Sequence, residues 1–165
     1  PQGVELERIR SAADLHAAIM ARADSQDVVI MAAAVADYTP AGGAQPDKIA
    51  KQDGPMTLVL ERTRDVLADL GRRRNGATRP ILVGFAAETS DVVARARAKL
   101  AAKHVDLIVA NDVSRPDAGF EVESNAATIV GRDGETEYPL QSKRELAGRI
   151  LDRVEALLTS RGAQG

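Results

Sequence analysis

The spacing of apolar and polar positions changes period along this chain, and the changes mark out its elements. Val4-Glu5-Leu6-Glu7-Arg8-Ile9 alternates and predicts a strand. Ser11, followed three residues later by Asp14, has the form of a capping box with Asp in place of Glu, and predicts a helix to about Ala23. Asp27–Ala33 reads as a buried strand, and Pro40–Pro46 as a loop. Lys48–Lys51 and Met56–Leu60 look extended, while Asp65–Arg74 predicts a helix ended by Asn75-Gly76. Ile81–Ala86 is a further strand, followed by a helix capped by Thr89 or Ser90 and running to about His104. Val105–Asp112, Phe120–Val122 and Ala126–Val130 predict strands, with a two-residue turn at Asp133-Gly134 and a partner strand at Glu135–Pro139. Ser142 opens a last helix to about Leu158, and the polar tail Ser160–Gly165 is expected to fray.

Strands alternating with helices of about a dozen residues imply βαβ units and a parallel sheet. The late hairpin adds antiparallel strands. The 165 residues fit one domain, residues 1–165. Aromatics are 2%, so Ala, Val, Leu and Ile must build the core, which suits helices packed on a parallel sheet. Cysteine is absent, which excludes disulfides, thiol catalysis and Cys-based metal sites. A net charge of −2 gives no global basic character for nucleic acid. No apolar run reaches the roughly 18 residues of a membrane span, and no signal peptide opens the chain. A cytoplasmic protein is expected, with no nucleic-acid or membrane partner.

Open α/β sheets bind ligands beyond the carboxyl ends of their strands. Three strand ends draw attention: Ala32–Asp37, Gly84–Thr89 and Ala110–Asp112. Small side chains at Ala32–Ala34 would let a ligand reach backbone amides, unless those alanines simply pack under a helix. Arginine outnumbers lysine 17 to 5, and four lysines form the close pairs Lys48/Lys51 and Lys99/Lys103. The second pair has i,i+4 spacing and projects from one helix face, a pattern suited to phosphate or to plain solvation. G-x-x-x-x-G-K-[ST] and G-x-G-x-x-G are both absent, and His16 and His104 stand singly on predicted helices. Asp37, Glu88 and Asp112 sit at strand ends, where each would hold a ribose, a base or Mg²⁺, or cap the next helix.

The blocks "AAAVADYTP", "KIAK", "VGFAAET", "KLAAKHVDLIVANDVS" and "GFEVESNAATIV", in this order over most of residues 4–158, resemble bacterial phosphopantothenate–cysteine ligase. That family is the synthetase half of the bifunctional decarboxylase/ligase of coenzyme A biosynthesis. The resemblance implies a Rossmann-like three-layer α/β fold with a mostly parallel sheet and a C-terminal antiparallel hairpin. It also implies a homodimer, CTP as the activating nucleotide with Mg²⁺, and phosphopantothenate and cysteine as the other substrates. A fused decarboxylase domain in the parent chain, and FMN only with it, follow from the same likeness. By position, Met31, Ala32 and Ala33 match backbone lying against the nucleotide, Asp37 a nucleotide-binding acid, and Phe85 a residue packing on the nucleotide. Lys48 matches the first lysine of a catalytic flap that closes over the phosphates. Arg64, Asp65, Val66 and Leu67 match a further nucleotide-contacting segment, and Lys99 and Lys103 the helix lysines beside the nucleotide.

The sequence departs from the family pattern in two places: Ala50 replaces a flap lysine, and Thr63-Arg64-Asp65-Val66 stands where the family has Asn-Pro-Asp-Ile. The family's leading glycine-rich loop has no counterpart before Val4, so these residues are expected to be the C-terminal two-thirds of the ligase domain and weakly active or inactive alone. Other readings are a Rossmann-type nicotinamide-dependent oxidoreductase and a noncatalytic nucleotide-binding module. The metal ligands and dimer contacts are left open, with the 120–139 hairpin edge a candidate for the latter.

Overall fold

The computed structural model describes residues 2–43, 47, 53–88, 90–112 and 123–163. Five strands form the main sheet: β1 (Val28–Met31), β4 (Ile81–Glu88), β5 (Leu107–Asp112), β6 (Ser124–Gly131) and β7 (Gly134–Ser142). Their order is β1-β4-β5-β6-β7. β1, β4 and β5 run parallel, with Val28 opposite Ile81 and Val83 opposite Leu107; β6 and β7 are antiparallel additions. A separate two-stranded sheet pairs β2 (Tyr38–Pro40) with β3 (Leu60–Arg62). The helices are α1 (Ala12–Arg22), α2 (Val66–Arg74), α3 (Val92–Ala102) and α4 (Lys143–Gly162).

Crossovers of one hand that always step in the same direction keep their helices on one face of a sheet. Accordingly, Val66, Leu67 and Leu70 of α2 and Ala96 of α3 pack with Leu82, Ala86, Ile108 and Ala110 in one core, joined by Ile19 and Met20 of α1. Ile81, Val83, Leu107, Val109 and Ile129 point the other way, against Leu146, Ile150 and Val154 of α4. The i, i+4, i+8 spacing of those last three residues makes one apolar stripe. β4 is therefore covered on both faces and reads as a nearly unbroken apolar run, as central parallel strands do. The result is the three-layer α/β arrangement expected, with a mostly parallel sheet and the late antiparallel hairpin.

The starts of α1, α2 and α4 follow the sequence closely. Ser11 and Asp14 form a reciprocal capping box on α1, as do Ser142 and Glu145 on α4. Asp65 Oδ1 accepts from the Ala68 amide to cap α2, and Asn75 closes that helix in the left-handed region at φ 45°. Ser142→Ala should cost about 1 kcal/mol, read as a lower unfolding midpoint at unchanged denaturant slope.

Several expected elements differ. Val4–Ile9 forms no ladder, and Val4 and Leu6 are exposed, with no strand among the described residues to pair with them. The Asp27–Ala33 strand is shorter and is a sheet edge rather than buried, because among the described residues its only neighbour is β4. Met56–Val59 carries no regular structure. Ser90 does not cap α3; Asp91 occupies that position at φ 49° with no side-chain cap bond. The hairpin loop is one residue earlier than expected. Gly131 pairs with Gly134, so Arg132 and Asp133 make the loop and Gly134, at φ 136°, leads into β7. Lys48–Lys51, Thr89 and Phe120–Val122 lie outside the described residues.

Candidate functional site

A cavity of about 500 Å³ opens over the carboxyl ends of β1, β4 and β5. The end of β1 contributes Met31 and the exposed run Ala32–Ala34, followed by Val35 and Asp37. These alanines are open to solvent, so the alternative in which they pack under a helix is not what the structure adopts. The segment is held by Thr63, whose amide donates to the Asp37 carbonyl at 3.0 Å and whose hydroxyl donates to the Ala36 carbonyl. That contact brings Arg64, Asp65, Val66 and Leu67, at the start of α2, into the same wall. β4 adds Phe85, Ala86 and Ala87, α3 adds Lys99, and the C-cap of α3 adds Lys103.

Of the sequence-predicted residues, Met31, Ala32, Ala33, Asp37, Arg64, Asp65, Val66, Leu67, Phe85, Lys99 and Lys103 thus line one cavity. Lys48 lies outside the described residues. Both helix lysines are anchored by carboxylates. Lys103 Nζ is 2.9 Å from Asp65 Oδ2, and Lys99 Nζ is 2.6 Å from Glu88 Oε1. Partial burial pushes the Asp65 carboxyl up, but the Ala68 amide and the Lys103 ammonium outweigh it and hold the group below its usual range.

Sequence reasoning missed the far wall, formed by Asn111 on β5, Asn125 on β6, and Lys143, Leu146, Ala147 and Ile150 on α4. Asn125 Nδ2 donates to Asn111 Oδ1 at 3.0 Å, while Asn125 Oδ1 is buried with no partner among the described residues. The signal for Asn111 was present, since it stands in "VAND" at a strand end. Lys143 was passed over because it falls outside the two close lysine pairs. Asn125 stands just before a register shift in the β6–β7 ladder, between Asn125 and Ala127, that no local pattern announces.

The residues 1–158 match the model of the DNA/pantothenate metabolism flavoprotein C-terminal domain. The chain belongs to this family. Among curated members it is similar to the coenzyme A biosynthesis bifunctional protein CoaBC of Bacillus subtilis, at 46% identity over 98% of this chain and 39% of the relative. The CoaBC of Mycobacterium tuberculosis H37Rv is 43% identical over 96% of this chain and 40% of its own length. The chain therefore spans about two-fifths of the curated relatives it matches. A crystal structure of the C-terminal domain of CoaBC superimposes with TM-score 0.74 and 35% identity, covering 97% of this chain and 69% of that one. A Cab2 mutant in complex with phosphopantothenate-cysteine shares the fold at TM-score 0.61 and 17% identity over 82% of this chain and 46% of that one. The DNA/pantothenate metabolism flavoprotein family thus includes proteins of coenzyme A biosynthesis, and this chain corresponds to their C-terminal part.

Proposed function

We propose that this chain carries the nucleotide-handling part of a phosphopantothenate–cysteine ligase, using CTP and an acyl-cytidylate. The observation that supports this most is the convergence of exposed small-residue backbone, Phe85 and two anchored lysines on one cavity at the sheet's carboxyl rim. A carboxylate is a poor acyl donor. In the proposed reaction its oxygen attacks the α-phosphorus of CTP and pyrophosphate departs. The cysteine amine then attacks the acyl carbon, the amide forms, and CMP leaves with the anhydride oxygen while the amine proton passes to solvent. Such chemistry asks the protein mainly for alignment and charge neutralisation.

Within this reading Met31–Ala33 offer main-chain contacts and Phe85 an apolar face to the nucleotide. Asp37 takes its ribose side, and Lys99 and Lys103 take its phosphates. Lys48 is assigned, by resemblance, to the flap that assists activation. Mg²⁺ fits the donor set, because it favours one or two carboxylates together with substrate phosphates, and the exposed carboxylate Asp37 lines the cavity. Among the described residues no cluster of three or more His, Asp or Glu would hold a metal alone. When bound with the nucleotide, the ion would neutralise phosphate charge. A homodimer, a cytoplasmic location, and a fused decarboxylase part with its FMN belong to the same proposal. The β7 edge is the candidate dimer contact. Among the described residues no helix is long and apolar enough to cross a membrane.

Titration with CTP, ATP and NADH tests the reading. Selective CTP binding is expected, and a preference for NADH would replace this function with the oxidoreductase one. Lys103→Ala should weaken CTP by roughly 10–100-fold, the equivalent of about 1.5–3 kcal/mol for a charged hydrogen-bond partner.

A further inference from the structure

Glu88 is a buried carboxylate that the roles assigned so far do not use. It closes β4 on the α3 side of the sheet, in register with Leu82 and Ala86, and its side chain is 7% exposed. A carboxylate is costly to bury unless cations hold it. Here Oε1 meets Lys99 Nζ at 2.6 Å and Oε2 faces Arg95 Nη1 at 3.6 Å. Both cations come from α3, one helical turn apart, while their own side chains remain 43% and 58% exposed. The same helix begins at Asp91 without a side-chain cap bond, so its first turns are not located by the usual device. A buried acid gripping positions 95 and 99 supplies that location instead.

Lys99 is the member of this group that lines the cavity. An ammonium has three donors on a flexible four-carbon stem. Committing one donor to a fixed carboxylate leaves two and restricts the stem, which lowers the ordering cost when an anion arrives. Arg95 offsets the negative charge on Glu88, so the three groups together remain a net cation.

We propose that Glu88 is a positioning residue, holding the Lys99 ammonium so that it meets the phosphate chain of the bound nucleoside triphosphate. This rests on the nucleotide reading of the cavity. Glu88 acts through Lys99 and makes no contact with the nucleotide itself.

The test compares CTP and CMP affinities, by calorimetric titration, for the chain and its Glu88→Gln, Glu88→Asp and Lys99→Ala variants, with thermal midpoints alongside. Glu88→Gln is expected to weaken CTP about tenfold and CMP distinctly less, because the loss follows the number of phosphates. Glu88→Asp keeps the charge with one methylene less reach and should fall between the two; it also carries the test if Glu88→Gln does not fold. A lowered midpoint with both affinities unchanged would make Glu88 a structural tie and overturn the proposal. Tighter CTP binding in Glu88→Gln would overturn it too, by making the acid a competitor of the phosphates. If Lys99→Ala leaves CTP affinity unchanged, the nucleotide reading itself fails; if it weakens CTP while Glu88→Gln does not, only the present inference fails.

Discussion

Asp106→Asn should destabilise the protein by about 3–5 kcal/mol, a large share of the total for a chain of this size. Asp106 lies just before β5 with its side chain 1% exposed. Oδ2 accepts from Arg74 and, at 2.8 Å, from the Leu82 amide, while Oδ1 accepts from Arg161. Arg74 also reaches the carbonyls of Pro80 and His104, and Arg161 that of Thr78. One carboxylate therefore fastens the end of α2, the start of β4 and the end of α4 to the foot of β5. Burial pushes the Asp106 carboxyl up, but the hydrogen bonds from Arg161, Arg74 and the Leu82 amide outweigh it and hold the group below the usual carboxylate range. A carboxyl lowered in the folded state contributes its full stability above the unfolded value, near 3.9, and loses it as pH falls through the folded value. Denaturant midpoints should thus fall steeply below about pH 4 in the parent, and less steeply in Asp106→Asn. Arg161→Ala should cost less than Asp106→Asn, because Arg74 and the Leu82 amide still satisfy the acid. A loss under about 1 kcal/mol for Asp106→Asn would contradict this account of the triad.

Gly71→Ala carries the second large effect. A Cβ at Gly71 would stand 1.9 Å from the Lys103 carbonyl oxygen and 3.0 Å from its carbon. Two contributions oppose each other. Alanine is the better helix former by about 1 kcal/mol. The clash is with backbone, which no rotamer change relieves, so α2 and the last turn of α3 must separate; overpacking of this kind costs about 1–3 kcal/mol and occasionally more. The clash wins, and a net loss of about 1–2 kcal/mol in urea unfolding is expected, since a 1.9 Å approach to backbone stands at the upper end of that range. Gly148→Ala on α4, where nothing lies within 4 Å of the added carbon, should have the opposite sign. If both variants are equally stabilised, the close approach of α2 to α3 is wrong. Since the contact is with Lys103 itself, Gly71→Ala should also shift that lysine relative to Asp65.

The sequence was most legible where one local rule decides the outcome. Ser11/Asp14, Ser142/Glu145 and Asp65 opened helices where capping chemistry puts them, and Asn75 ended one. It was least legible where a partner decides. Among the described residues, Val4–Ile9 has a strand's alternation but nothing to pair with, and β1 reads as a core strand although it has one neighbour. The hairpin slipped by a residue because Gly134 serves as the position after the loop instead of its second member. For the cavity, the near wall was legible through family-like blocks around Ala32, Phe85 and Lys99. The far wall was not, because Asn111, Asn125 and Lys143 meet only through the antiparallel return of β6 and β7.

Asp65 divides its two oxygens between different tasks, one fixed to the Ala68 amide at 3.0 Å and the other to Lys103 at 2.9 Å. Withdrawing the ammonium severs a single attachment and leaves the opening turn of α2 still tethered. The lysine, carried by the end of α3, is thus a detachable partner, able to change hands without unravelling the helix that Asp65 caps.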